Sequence, residues 1–159
     1  MADGRIEAVT ISGLGEIVPG DDLPTLIVYA LAAASDVLPL RDDDVLVVTQ
    51  KIVSKAENAI VDLTTIEPRP EAIAFAERWD RDPRQVEVVL REARRVVRMA
   101  NGVIITETAH GFVCANGGID ASNVGPASGS IVTLLPADPD ASAAAIRGAI
   151  RARLGHDLP

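Results

Sequence analysis

The most chemically versatile side chains of this chain lie in one glycine-rich segment, residues 115–125. The segment contains one carboxylate, two carboxamides, one hydroxyl and three glycines, and it follows directly on the apolar run 111–115. A carboxylate such as Asp120 is a ligand that hard cations prefer. Asn123, three residues later, offers both a donor and an acceptor, and glycine lets a ligand approach the backbone closely. By composition alone such a loop more often caps its own backbone, and it is the polar segments elsewhere in the chain that favour a polar ligand or metal site here.

Two further polar segments follow apolar runs, at residues 14–17 and 50–57. The second contains Lys51 and Lys55, four residues apart, and lysine is a compact cation that binds phosphate. No P-loop or Rossmann glycine motif occurs at a strand-to-helix turn, so the ordinary forms of both sites are excluded. Because side chains converge where loops leave strand ends, we expect the polar segments to meet. The alternative is a solvated lysine pair beside Glu57.

Composition limits the class of protein. The chain has 159 residues, of which 48% are hydrophobic and 3% aromatic, and this predicts one domain with an aliphatic core. A formal net charge of -8 argues against binding to nucleic acid or to an anionic membrane. The N-terminus does not resemble a signal peptide, and no apolar run reaches the length of a membrane span. These features predict a cytoplasmic protein.

Periodicity and turn residues predict the elements that must position the polar segments. An irregular mixture of strands and helices predicts an α+β fold, with a mixed sheet and packed helices. The run 45–49 is continuously apolar, which is typical of a strand covered on both faces. Four arginines near residue 95 are expected to form a solvated cationic face. The predicted strands are 5–11, 45–49, 59–63, 103–108, 112–115 and 131–135. The predicted helices are 23–37, 70–79, 84–95 and 141–154. The four arginines are Arg91, Arg94, Arg95 and Arg98.

Four motifs resemble those of the coenzyme F420-0:L-glutamate ligases, also called F420 gamma-glutamyl ligases. They occur in the family's order and at similar spacing, and the similarity extends from about Ile6 to the C-terminus. The resemblance implies a gamma-glutamyl ligase-like fold. The motifs are Gly-Asp-Asp-Leu at 20–23, the apolar run with Gln-Lys-Ile-Val-Ser-Lys-Ala-Glu at 44–57, Gly-Ile-Asp-Ala-Ser-Asn-Val at 118–124, and Leu-Leu-Pro-Ala-Asp-Pro-Asp-Ala-Ser-Ala at 134–143.

The activity that this resemblance implies is GTP-dependent ligation of L-glutamate to coenzyme F420-0 through an acyl phosphate. Further glutamates are then added through their γ-carboxylates. The implied cofactors are GTP as co-substrate and Mg²⁺ or Mn²⁺, with K⁺ as a further candidate. The implied partners are the small-molecule substrates and a second copy of the chain in a homodimer.

The resemblance also assigns residues by position. Asp120 matches a divalent-metal ligand, and no separate catalytic residue is assigned. Gly15 and Glu16 stand where a proline and an apolar residue are usual, and Gln50 and Lys51 stand where small hydroxyl residues are usual. The positions that match GTP contacts are Leu14, Gly15, Glu16, Ile17, Gln50, Lys51, Lys55 and Asn123.

Length is the largest departure from the family. Its members continue with an Ile-Thr-Asp-Thr-x-Gly-Arg motif that supplies more metal ligands, and the chain lacks that motif. Residues 1–159 are therefore expected to form the N-terminal part of a ligase domain, with an incomplete fold and no activity alone. The alternatives are a non-catalytic nucleotide- or phosphate-binding module and a half-domain that dimerises through an open sheet edge.

Overall fold

Aspartates placed just before apolar segments determine where several helices begin. The computed structural model describes residues 4, 6–35, 39–121 and 129–159. Asp22, Asp82 and Asp138 each accept a backbone N–H at the start of the helix that follows, at 3.2, 2.8 and 2.9 Å, which satisfies a donor that the helix cannot use internally. The helices are α1 Leu23–Ala34, α2 Gln50–Ala56, α3 Pro70–Trp79, α4 Pro83–Glu92 and α5 Pro139–Leu154.

The strands pair only in the antiparallel sense within the described residues. One pair joins β1 to β5 and aligns Val61 with Val132. The other sheet has the order β2-β3-β4. The α+β prediction is confirmed, but two antiparallel sheets replace the expected mixed sheet. The strands are β1 Ile60–Asp62, β2 Ala93–Ala100, β3 Val103–Thr108, β4 Val113–Ala115 and β5 Ile131–Thr133.

Strand β2 was not expected, and the predicted helix 84–95 is wrong beyond Glu92. Asn101 and Gly102 both have positive φ, 53° and 73°, and they turn β2 back onto β3. An Asn-Gly pair between apolar runs is a strong hairpin signal. Pairing with β3 therefore overrides the helical periodicity of residues 93–95, because the strand satisfies its backbone groups across the hairpin.

Two predicted strands are absent. Residues 6–11 and 45–49 belong to no strand, and Arg5 lies outside the described residues. In the second segment Leu46 and Val48 pack against the core, whereas Val45 and Val47 are 70% and 84% exposed. A buried strand needs neighbours on its faces and partners along its edges. Among the described residues only one face of this segment is covered, so the expected two-sided burial is wrong.

The remaining predicted elements are confirmed, with equal or slightly different bounds, and they enclose three apolar clusters. The first cluster lies where α1 packs on α5 and includes Val53 of α2. The second joins α3 and α4 to Ile104 of β3, and the third surrounds Leu63 and Val132 beside β1 and β5. Residues 36–38, at the end of the predicted first helix, lie outside the described residues. None of the helices in the described ranges has the length and apolarity needed to cross a membrane.

The predicted cationic face is largely paired. Arg94 and Arg95 contact Glu107 at 3.2 and 2.7 Å. Arg91 contacts the buried Glu87 at 2.7 Å. All four arginines are exposed, as expected, and Arg98 differs from the others in having no ion pair to a described residue. The expected solvated face is therefore confirmed, although three of its four charges are paired with carboxylates.

Glu87 is the most deeply buried of these charged groups, with a side chain that is 3% exposed. It accepts hydrogen bonds from the Nε of Arg69 at 3.0 Å, from the backbone N–H of Arg69 at 3.0 Å, and from Arg91. The hydrogen bonds from the Arg69 side chain are the main reason that the pKa of Glu87 is lowered from 4.5 to about 2. This carboxylate fastens α4 to the segment before α3.

Replacement Glu87→Gln should reduce the free energy of unfolding by about 1–3 kcal/mol near neutral pH, because it leaves the arginines without their acceptor. The folded pKa of Glu87 lies below its unfolded value, so the carboxylate stabilises the fold above about pH 4.5 and loses this effect as the pH falls towards 2. The variant should therefore lose less stability on acidification. Urea unfolding at several pH values measures both effects.

The matched control is Glu77→Gln, an exposed glutamate on α3. It should change stability by less than about 0.5 kcal/mol. Equal losses of unfolding free energy in the two variants would contradict a special role for Glu87.

Candidate functional site

The end of strand β5 supports the candidate site. The backbone N–H of Asp120 donates to the carbonyl of Thr133 at 3.0 Å, and the N–H of Thr133 donates to the carbonyl of Asp120 at 2.9 Å. The next residue, Leu134, donates its N–H to the carbonyl of Ala59 at 2.9 Å. These bonds fix both the Asp120 loop and the segment after α2 to the same strand.

The carbonyl of Leu134 also holds the first turn of α2. Its oxygen accepts hydrogen bonds from Nε2 of Gln50 at 2.7 Å and from Oγ of Ser54 at 2.6 Å. Ser54 is fully buried. Gln50 is a predicted GTP contact, but its side-chain amide group is engaged in a hydrogen bond that stabilises the fold. Ser54 was not singled out from the sequence, although its spacing of four residues from Gln50 places both on one helix face.

Both lysines of the chain are ion-paired and partly or largely buried. Lys51 Nζ lies 2.9 Å from Oδ2 of Asp120, and the two side chains are 22% and 35% exposed. Lys55, whose side chain is 9% exposed, contacts Oε1 of Glu16. The solvated pair proposed as the alternative is wrong. Residues i and i+4 share a helix face, so the two ammonium groups and their carboxylates form one row along α2.

The 14–17 loop contacts this row through Glu16. The loop is held near α2 by the N–H of Gly20, which donates to the carbonyl of Ala56 at 2.9 Å. Ile17 is 5% exposed and packs in the α1–α5 cluster. Its side chain is therefore committed to the core, and a contact from Ile17 to a ligand would have to use the backbone. Leu14 is half-buried and Gly15 is exposed.

A left-handed turn leads to Asp120. Asn116, Gly117 and Gly118 have φ values of 52°, 63° and 72°. A Cβ on Gly118 would lie 2.7 Å from the side chain of Leu135, so only glycine fits there. The Asn116 side chain makes no hydrogen bond to a described residue, so the self-capping alternative is wrong for Asn116. Asn123, the other predicted contact of this segment, lies outside the described residues.

Two cavities are lined in part by α2 or by the Asp120 loop. A cavity of about 390 Å³ with a mostly apolar wall includes Gln50, Phe112 and Arg147 in its lining. A second cavity of about 270 Å³ lies on the side of Asp120 and is lined by both apolar and polar side chains. The second cavity thus offers space for a ligand beside the carboxylate of the Lys51–Asp120 pair.

The described residues include no group of three or more His, Cys, Asp or Glu side chains able to hold a metal ion. At this site Asp120 is one carboxylate, and Lys51 already occupies one of its oxygens. Mg²⁺ is commonly bound by one or two protein carboxylates together with substrate phosphates and water. Asp120 fits that kind of site, and does not fit a site built from protein ligands alone.

Comparison with known proteins agrees with the motifs. The sequence model described as F420-0:Gamma-glutamyl ligase matches residues 13–159. The chain is 41% identical over 153 residues to the Coenzyme F420:L-glutamate ligase of Methanothermobacter thermautotrophicus, covering 96% of this chain and 59% of that protein. It is 44% identical over 154 residues to the protein of the same name from Methanopyrus kandleri, covering 97% and 56%. The chain therefore spans less than two thirds of these relatives.

Replacement Ser54→Ala should lower the free energy of unfolding by about 1 kcal/mol, because the Leu134 carbonyl loses one of its two side-chain donors. The matched control Ser35→Ala changes an exposed serine after α1 and should have an effect within about 0.5 kcal/mol. Urea unfolding of both variants measures the difference. If Ser54→Ala is as mild as the control, the bond to Leu134 does not hold α2.

Proposed function

The chain belongs to the F420-0:Gamma-glutamyl ligase family, and we propose that it supplies the nucleotide-binding part of an enzyme that ligates L-glutamate to coenzyme F420-0 with GTP. The relatives' names give the coenzyme and the amino acid. Because the chain spans 59% and 56% of these two relatives, the complete activity is proposed for the whole protein.

The observation that carries this proposal is the pair of lysines in α2. Lys51 and Lys55 lie one helical turn apart, and each has a carboxylate against its ammonium group, Asp120 and Glu16. A row of two ammonium groups suits the closely spaced negative charges of a triphosphate. In the absence of phosphate, the carboxylates compensate the charge of lysines that are mostly out of water.

The chemistry proceeds in two displacements. A carboxylate oxygen of the acceptor attacks the γ-phosphorus of GTP, forms an acyl phosphate and releases GDP. The amine of L-glutamate then attacks the acyl carbon, the C–O bond to phosphate breaks, and inorganic phosphate leaves with the amide formed. Lys51 and Lys55 would neutralise phosphate charge and keep the nucleotide in line. Adding glutamate to a γ-carboxylate repeats the same steps.

A divalent ion would share Asp120 with the phosphates. Mg²⁺ or Mn²⁺ supplies charge neutralisation of the phosphate oxygens when bound. Asp120 would serve as a protein ligand of this ion after its release from Lys51. Potassium and a homodimer stay predictions from the family resemblance, as do the roles of Leu14, Gly15, Ile17 and Asn123. Because the described residues offer no group of three or more potential metal ligands, we propose that the chain alone is inactive or nearly so.

Replacement Lys55→Met should weaken GTP binding by about tenfold or more, because it removes one of the two cations offered to the phosphates. Calorimetric titration of the chain with GTP, with and without Mn²⁺, measures the effect. Asp120→Asn should remove the dependence of binding on Mn²⁺.

The control for lost positive charge is Arg98→Gln, an exposed arginine on β2. It should leave GTP affinity unchanged. Equal affinities for the Lys55→Met variant and the unsubstituted chain would contradict the proposed nucleotide site. GTP binding without ligation, in a protein that includes the relatives' additional length, would favour the non-catalytic module instead.

Replacement Glu16→Gln should act in the opposite direction and strengthen GTP binding by about two- to fivefold, because the carboxylate that competes with phosphate for Lys55 is gone. Glu57→Gln, which changes a carboxylate at the C-terminal end of α2 that is bonded to Ser142 and not to a lysine, is the matched control. The same titration measures both variants. Weaker binding in Glu16→Gln would show that Glu16 helps to hold the nucleotide.

A further inference from the structure

We propose that the cavity of about 270 Å³ beside Asp120 is the subsite for the amino-acid substrate, with Arg81 binding its side-chain carboxylate. This inference rests on the proposed function for the identity of the amino acid, L-glutamate. It goes beyond the nucleotide and metal contacts, all of which lie on α2, the 14–17 loop and the Asp120 loop. Arg81 lies in none of these segments.

The chemical character of the wall fits an amino acid with an acidic side chain. Val86, Val89 and Ile104 are buried and provide an apolar floor for methylene groups. Arg81, Gln85 and Asn116 add one guanidinium and two carboxamides around it. A small apolar floor with a few polar groups is the usual pattern of a site that fixes the orientation of a small molecule.

The polar groups are available to a ligand. Arg81 donates from Nη1 to the carbonyl of Gly102 at 3.3 Å, a long bond that uses one of five guanidinium N–H donors. The side chains of Gln85 and Asn116 make no hydrogen bond or ion pair within the described part of the chain. Arginine binds carboxylates through two parallel bonds, and carboxamides can donate to a second carboxylate. An acidic amino acid carries both carboxylates.

The position of Asp120 sets the direction of binding. Asp120 lines this cavity and also contacts Lys51 of the proposed phosphate-binding row. An amino acid whose side-chain carboxylate meets Arg81 would therefore direct its ammonium group towards Asp120 and the phosphates. That is the group that must reach the activated carboxyl carbon. The size also suits the smaller substrate, since pockets for larger ligands occupy about 300–1,000 Å³.

Titration of the isotope-labelled chain with L-glutamate, followed by amide chemical shifts in NMR, tests the subsite directly. We expect saturable shifts concentrated at Arg81, Gly102, Asn116 and Asp120. Arg81→Gln should weaken the binding of L-glutamate at least tenfold. Arg98→Gln removes an equal charge on β2 and should leave the affinity for L-glutamate unchanged. L-Glutamine, which lacks the side-chain carboxylate, should bind the unsubstituted chain more weakly than L-glutamate but bind the Arg81→Gln variant about equally.

A second variant keeps the test decisive if Arg81→Gln fails to fold. Asn116→Asp retains a residue that tolerates positive φ and adds a negative charge to the cavity. It should therefore also weaken the binding of L-glutamate. Absence of shifts at these residues, or equal binding of L-glutamate and L-glutamine to the unsubstituted chain, would overturn the subsite. Glutamate binding is read without nucleotide, so its failure is distinguishable from failure of the GTP titration, which would contradict the proposed function instead.

Discussion

The carbonyl oxygen of Leu134 is the contact on which the rest of the site depends. It accepts hydrogen bonds from Gln50 and Ser54 and thereby fixes the first turn of α2 to the end of β5. The preceding residue, Thr133, exchanges two backbone hydrogen bonds with Asp120. One strand end therefore sets the distance between the helix that carries the lysines and the loop that carries the carboxylate. A shift of this strand would move both partners of the Lys51–Asp120 contact.

Charge compensation is the second constraint on this region. A lysine that is mostly out of water is costly unless a carboxylate faces it. Glu16 performs this role for Lys55, and Asp120 performs it for Lys51. The same arrangement gives a ligand with several negative charges a way to bind, because it can replace carboxylates that are 64% and 35% exposed. The ion pairs thus stabilise the site, and an anionic ligand can still take the place of the carboxylates.

Residues with positive φ shape the site on the side away from α2. Asn101 and Gly102 close the β2–β3 hairpin, and the carbonyl of Gly102 meets Arg81 at the rim of the smaller cavity. Gly118 allows the Asp120 loop to pass against Leu135. The proposed amino-acid subsite is therefore built by two turns that bring α4, the hairpin and the Asp120 loop around one space.

Local signals in the sequence were sufficient for helices α1, α3 and α5, for strands β3 and β4 and for the family motifs, because periodicity, turn residues and motif spacing are properties of neighbouring residues. The sequence also identified Lys51, Lys55 and Asp120 as residues with related chemistry. Only the tertiary structure decided that Lys51 faces Asp120, that Lys55 faces Glu16, that Ile17 is buried, and that residues 93–100 form a strand. It also left Val45 and Val47 exposed. These outcomes depend on partners distant in the chain, since burial and pairing are set by the elements that a segment packs against.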